Sequence, residues 1–173
     1  NPIFEMESGQ YEAFDQEMMQ MEVTLTKMHN MVNQLKGIQD QLKEVISDVE
    51  NEALKKEGQE IIAALDAWDK EMVQRKSKAY DDVENFPNKF TAEYLFLIHA
   101  TNSSIPRVNK SSKARRAELD AQWEVLKEQA QGWLNETIPN YNKKLWGAGI
   151  GMIRMRDNYF STHGRFFFLT SWD

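Results

Sequence analysis

A chain of 173 residues with a formal net charge of −6 fits one domain, or one domain with an appendage, and is long enough to bury a core. Both signs of charge are spread along it, which reads as a solvated surface; the basic pairs are few (Lys55-Lys56, Arg115-Arg116, Lys143-Lys144), so nothing recommends nucleic acid as a partner. The absence of cysteine excludes disulfides, thiolate zinc sites and thiol nucleophiles, and no apolar run approaches the roughly 20 residues of a transmembrane segment.

The chain opens Asn1-Pro2, with neither an initiator methionine nor a basic region followed by a hydrophobic one. The expectation is a processed or excised piece of something longer, whose export history would not be visible here. From Phe14, apolar residues recur at alternating steps of four and three: Phe14, Met18, Met21, Leu25, Met28, Val32, Leu35, then Leu42, Ile46 and Val49. Gln39 breaks the series, with Ile38 beside it. A seven-residue repeat sustained this long predicts a helix on the order of 60 Å whose stripe packs along another helix, with Glu17, Glu22, Lys27 and Lys36 on the wet side.

A second stripe, Leu54, Gly58, Ile61, Leu65, Trp68, Met72, Ala79 and Val83, is interrupted by Arg75 and adjoined by Tyr80. Between the stripes, residues 47–53 hold Asp48 and Asn51, suitable turn and cap residues, which favours a hairpin. One uninterrupted helix is the competing reading. Pro87 should end the second helix, and a short helix, apolar enough to be covered by its neighbours, should run from about Pro87 to Ala100. Residues 101–112 read as a polar loop around Pro106. The last long helix should start at about Ser112, as N-cap, and carry Leu119, Trp123, Leu126, Ala130, Trp133 and Thr137 to Tyr141 and Leu145. Pro139 should kink or divide it. After Gly147, Gly149 and Gly151 the helical stripe is lost. Residues 155–173 carry aromatic clusters that suit a small hairpin or an extended tail, docked or in contact with another chain. The expected fold is therefore all-α: an elongated antiparallel up-down bundle of three long helices and one short one over residues 1–154, with a non-helical aromatic tail over 155–173.

Met21, Met28 and His29 suggest a soft-metal site, but Met18, Met21 and Met28 lie on the packing stripe, where a flexible thioether fills gaps; core filling is preferred. The Glu-x-x-His repeats of di-iron bundles are absent, as are H-E-x-x-H, G-x-S-x-G and the glycine-rich phosphate loops. Carboxylate pairs such as Glu17 with Glu22, or Asp66 with Asp69, read as solvated helix faces rather than as two groups facing across a cleft. Thus no catalytic, cofactor-binding or metal-binding residue is assigned. Trp68, Trp123 and Trp133 sit on stripes. Trp146 and Trp172, with Phe166, Phe167 and Phe168, remain as a possible interaction surface. Sequons stand at Asn102, Asn109 and Asn135.

Taken together, MVNQLKGIQDQL, ALDAWDKEMVQ, NFPNKFTAEYLFLIHA and TIPNYNKKLWGAGI resemble the C-terminal helical region of bacterial proteins that carry BNR-type repeats related to sialidase and Vps10 propellers, often labelled glycosyl hydrolases. The likeness spans roughly residues 10–150, and the tail from about Met155 departs from it. It implies an exported parent, periplasmic, cell-surface or secreted, whose enzymatic residues, if any, lie on the propeller. Asn140 and Asn142 fall where that family has its late asparagine, a structural role. The chain itself would be a non-catalytic accessory module whose partner is that propeller. The alternative is a self-standing coiled-coil adaptor that pairs with itself.

Overall fold

The computed structural model describes residues 8–76, 86–104 and 107–155. It is all-helical, with no strand among the described residues. Helix α1 spans Ser8–Val45 and, at 38 residues, is about 57 Å long. A 3-10 turn (Ile46–Asp48) leads to α2 (Glu52–Met72), then α3 (Phe90–Asn102) and α4 (Lys110–Gly132); a π-helical turn (Trp133–Thr137) runs directly into α5 (Ile138–Gly147). Thus α1 and the continuous run from Lys110 to Gly147 are the two long helices. Helix α1 packs on α2 and α3, α3 on α4, and α2 on α5.

The apolar stripes build the core. Phe14, Met21, Met28, Val32, Leu35 and Leu42 of α1 are buried, as are Leu54, Gly58, Ile61, Leu65, Trp68 and Met72 of α2. Gln39 is buried too: its Nε2 donates to the carbonyl of Ile62, and its Oε1 accepts from Lys36 Nζ at 2.8 Å. It interrupts the apolar pattern because it ties α1 to α2. Trp68 Nε1 donates to the carbonyl of Leu126 at 3.0 Å, and the Trp68 ring meets Trp133 edge-on with centroids 6.4 Å apart. Trp68 is thereby anchored at its polar tip as well as by its apolar body.

Helices α1 and α2 are separate. After the 3-10 turn Val49 is extended and buried, and Asn51 caps α2 by accepting from the amide of Leu54 at 3.0 Å. The far end of α2 departs from the sequence expectation, since the helix stops at Met72 rather than running to Pro87. Val73 turns extended (φ −136°, ψ 145°), and Arg75 folds back on Asp69 with two hydrogen bonds of 2.6 Å. Thr91 donates to the carbonyl of Met72 at 3.0 Å, satisfying one of the acceptors a helix end leaves over. Ala79, Tyr80 and Val83 lie outside the described residues.

The start of α4 is also earlier than expected. Asn109, not Ser112, is the N-cap, its Oδ1 accepting from the amide of Ser112 at 2.8 Å. Pro139 neither stops nor sharply divides the last long helix. It occupies the first turn of α5, where a missing N–H is tolerated, behind the π-turn. The wider π-turn inserts a residue into the stripe, so Ile138 is fully buried where Thr137 was expected. Helix α5 ends on Gly149 at φ 74°, with the amide of Ile150 bonded to the carbonyl of Leu145 and that of Gly149 to Trp146. This is a Schellman closure, which calls for glycine at the left-handed position.

Gly58 marks the closest approach between helices. A Cβ there would lie 2.3 Å from Tyr141 Oη and 2.6 Å from Ile46 Cδ1, while that hydroxyl donates to the carbonyl of Leu54 at 3.0 Å. For Gly58→Ala, overpacking outweighs the gain in helix propensity, giving a net loss of about 1–2 kcal/mol. Asn109→Ala should cost about 1 kcal/mol through the lost cap. Denaturant titration checks both, and a Gly58→Ala variant as stable as the parent would contradict the close approach.

Candidate interaction surface

Several charged side chains link one helix to another. Tyr94 of α3 donates to Asp120 of α4 at 2.7 Å; Asp120 also meets Arg116 Nε at 3.3 Å, and Arg116 and Lys113 both reach Glu17 of α1, at 3.8 and 3.5 Å. At the other end Lys144 of α5 pairs with Glu57 of α2 at 2.7 Å. Of the carboxylates considered for acid–base work, Glu17 faces the α4 bases, Asp66 pairs with Lys70 and Asp69 with Arg75, while Glu22 is exposed. The Lys70 hydrogen bond, foremost, holds the Asp66 carboxyl below the usual range, and the Lys36 hydrogen bond does the same for Asp40. Burial first, then Asp120, pushes the Tyr94 phenol well up. Burial, with Glu57 behind it, raises Tyr141.

Met21 and Met28 are buried in the core, whereas His29 is exposed, so these sequence neighbours do not converge. Among the described residues no three His, Asp or Glu side chains gather as a cation would require, and none of the helices is long and apolar enough to cross a membrane. Of the sequons, Asn109 is engaged as a cap, while Asn102 and Asn135 are exposed.

Trp146 is 71% exposed at the end of α5, with Met152 nearby in sequence at 56%. Phe166, Phe167, Phe168 and Trp172 lie outside the described residues. Trp68 and Trp123 are buried and Trp133 half-buried. A further surface lies on α3. Its inner face buries Phe90, Thr91, Tyr94, Leu97, Ile98 and Thr101, and it is fixed by the Thr91–Met72 and Tyr94–Asp120 bonds. Its outer face leaves Leu95 41% and Phe96 72% exposed. Phe96 borders a cavity of about 510 Å³ between α3 and the start of α4, lined also by Leu97, Ala100, Ser112 and Arg115. A helix apolar on both sides is ordinarily covered on both.

The chain matches no known protein family, no curated protein and no solved structure. Its function is therefore argued from its surfaces.

The sequence reading expects the short helix to be covered by its neighbours, whereas Leu95 and Phe96 on its outer face are not; four consecutive apolar residues, Leu95-Phe96-Leu97-Ile98, cannot all face one way on a helix. The Tyr94–Asp120 contact had no signal, since it joins residues 26 apart through tertiary packing.

The raised tyrosines set an alkaline limit. The unfolded chain ionises its phenols near pH 10 while the folded chain keeps the proton, so the unfolded state binds fewer protons above that pH and stability falls. The contribution is complete below pH 10 and is lost as pH climbs through the folded values. Urea midpoints should decline above pH 10, and less steeply in Tyr94→Phe, which at neutral pH should cost about 0.5–1.5 kcal/mol. Identical alkaline slopes for the two proteins would contradict this.

Proposed function

We propose that this chain is a non-catalytic helical interaction module, an elongated antiparallel up-and-down bundle that joins a larger exported, propeller-bearing protein and positions it. The exposed apolar face of α3, an otherwise well-anchored helix with Phe96 turned outward beside a cavity, carries the reading. Trp146 adds a second apolar point at the end of α5. The antiparallel arrangement is supported by cross-helix contacts: 68 pairs with 126 and 54 with 141, and on the α1 side 39 pairs with 62 while Ile46 lies against Gly58, so that on each side of α2 one number rises as the other falls. The sequence resemblance supports the exported parent and its sialidase-like or Vps10-like propeller.

The alternative, a self-associating adaptor, draws on the seven-residue repeat of α1 and on the same α3 face. Sedimentation velocity over a concentration series separates the two. The module reading expects a monomer throughout, for the parent chain and for a Leu95→Glu/Phe96→Glu double variant alike. Concentration-dependent dimers abolished by the double substitution would establish the adaptor instead. The coding DNA upstream of Asn1 gives an independent check: propeller repeats behind a signal sequence are expected, and an initiator codon immediately before Asn1 would overturn the exported parent. Hydrolase activity in this chain that disappeared on substituting its acidic residues would overturn the non-catalytic assignment.

A further inference from the structure

Helix α2 meets the last long helix through small residues. Ala64 and Ala67 of α2 line a cavity of about 370 Å³ with Gln129 of α4 and Trp133, the first residue of the π-turn, and Trp68 and Glu71 complete the lining. The two tryptophans differ in what they have left to offer. Trp68 is buried, with its indole N–H bonded to the Leu126 carbonyl. Trp133 stands edge-to-face with it, the planes 89° apart, and is half-buried. The fixed Trp68 ring therefore braces Trp133, so the part of the Trp133 ring that borders the cavity is presented rigidly. Turns of π type recur at functional sites, and this one begins at Trp133.

The polar side chains of the cavity are uncommitted. Glu17, Glu57 and Asp69 each meet a cation, whereas the exposed side chains of Glu71 and Gln129 make no ion pair or hydrogen bond among the described residues. Lys70, beside Glu71 in sequence, is bonded to Asp66. Glu71 also lies in the last turn of α2, where the helix dipole adds to the negative potential.

This combination favours a cation with an apolar stem. The face of an indole attracts cations more strongly than the other aromatic rings do, an unpaired carboxylate supplies the counter-charge, and alanine leaves room for methylene groups. The cavity is at the small end of ligand pockets and suits one side chain. Of the two basic side chains arginine fits better. Its guanidinium is planar, stacks on a ring, pairs with a carboxylate through two N–H groups and is more weakly hydrated than an ammonium.

We propose that the pocket between α2 and α4 receives an arginine side chain of a protein partner, its guanidinium held by the Trp133 ring and the Glu71 carboxylate and its stem lying along Ala64 and Ala67. The inference rests on the reading of this chain as an interaction module and adds what the partner must carry.

The full chain, isotopically labelled, is titrated with capped Gly-Arg-Gly and with its citrulline and lysine counterparts, and the Trp133 indole N–H signal is followed by NMR. Citrulline keeps the shape of arginine and replaces the guanidinium by an uncharged urea. The arginine peptide should move the Trp133 signal with an affinity in about the millimolar range, as a single side chain allows, and the citrulline peptide should bind about fivefold more weakly or worse. Glu71→Gln should lower the affinity for the arginine peptide about threefold or more and leave that for citrulline unchanged. Because Glu71 is exposed and unbonded, that variant retains the fold, and the arginine–citrulline comparison needs no variant at all. Equal affinities for arginine and citrulline, or a Trp133 signal unmoved at tens of millimolar arginine peptide, would overturn the proposal. Tighter binding of the lysine peptide would overturn the choice of arginine. These outcomes are distinct from failure of the module reading, which sedimentation of the Leu95→Glu/Phe96→Glu variant reports separately.

Discussion

The depth to which Tyr141 enters the neighbouring helix fixes one end of the molecule. Its hydroxyl reaches the Leu54 carbonyl in the first turn of α2, and it does so because position 58 has no side chain. That carbonyl bonds within the helix as well, so the tyrosine adds a second acceptor contact without breaking the ladder. Ile46, in the turn between α1 and α2, closes on the same glycine. One missing Cβ therefore sets the spacing of α5, α2 and the turn together. The Glu57–Lys144 pair lies alongside but is exposed, and exposed pairs contribute little; the fit rests on packing and on one buried hydroxyl.

The opposite end is held differently. There α3 is wedged by Tyr94 and Thr91, and the bond to Asp120 extends through Arg116 to Glu17, linking α3, α4 and α1 in one polar chain. Tyr94 and Thr91 are buried and Asp120, Arg116 and Glu17 half-buried, where electrostatic attraction is stronger than in water and an orphaned partner is costly. Asp120 shows how: it is shared between a phenol and a guanidinium, so neither bond can be lost without leaving the other to carry the carboxylate. Polar specificity orients α3, and apolar contact holds the long helices.

This division explains what was legible in the sequence. The stripes of α1 and α2 could be read residue by residue, because burial against a neighbouring helix imposes a periodicity that local composition records. The α1–α2 break was legible from Asn51, whose side chain acts on its own backbone. The end of α2 was not, because Arg75 closes on Asp69 where a helical reading sees only a polar residue interrupting an apolar stripe. Gln39 misled in the same way, its carboxamide having its partner 23 residues away. The π-turn before Pro139 could be anticipated as a disturbance, but its form, one residue inserted and the stripe moved from Thr137 to Ile138, depends on how Ile138 meets the core.

The same distinction underlies the proposed interaction role. Glu17 and Asp69, two of the carboxylates weighed for chemistry, and Asp120 beside them are each engaged by a cation or phenol that helps position the helices, so altering one disturbs the scaffold. Leu95, Phe96 and Trp146 carry no such duty. They are exposed, yet Phe96 rides on a helix whose inner face is tightly fixed, and a rigidly presented aromatic side chain loses little conformational entropy when it is covered. That combination of a fixed support and an uncommitted apolar surface is what recognition of another protein requires. It is also why contacts made by this chain would be set by the placement of α3, and hence by the Tyr94–Asp120 bond beneath it.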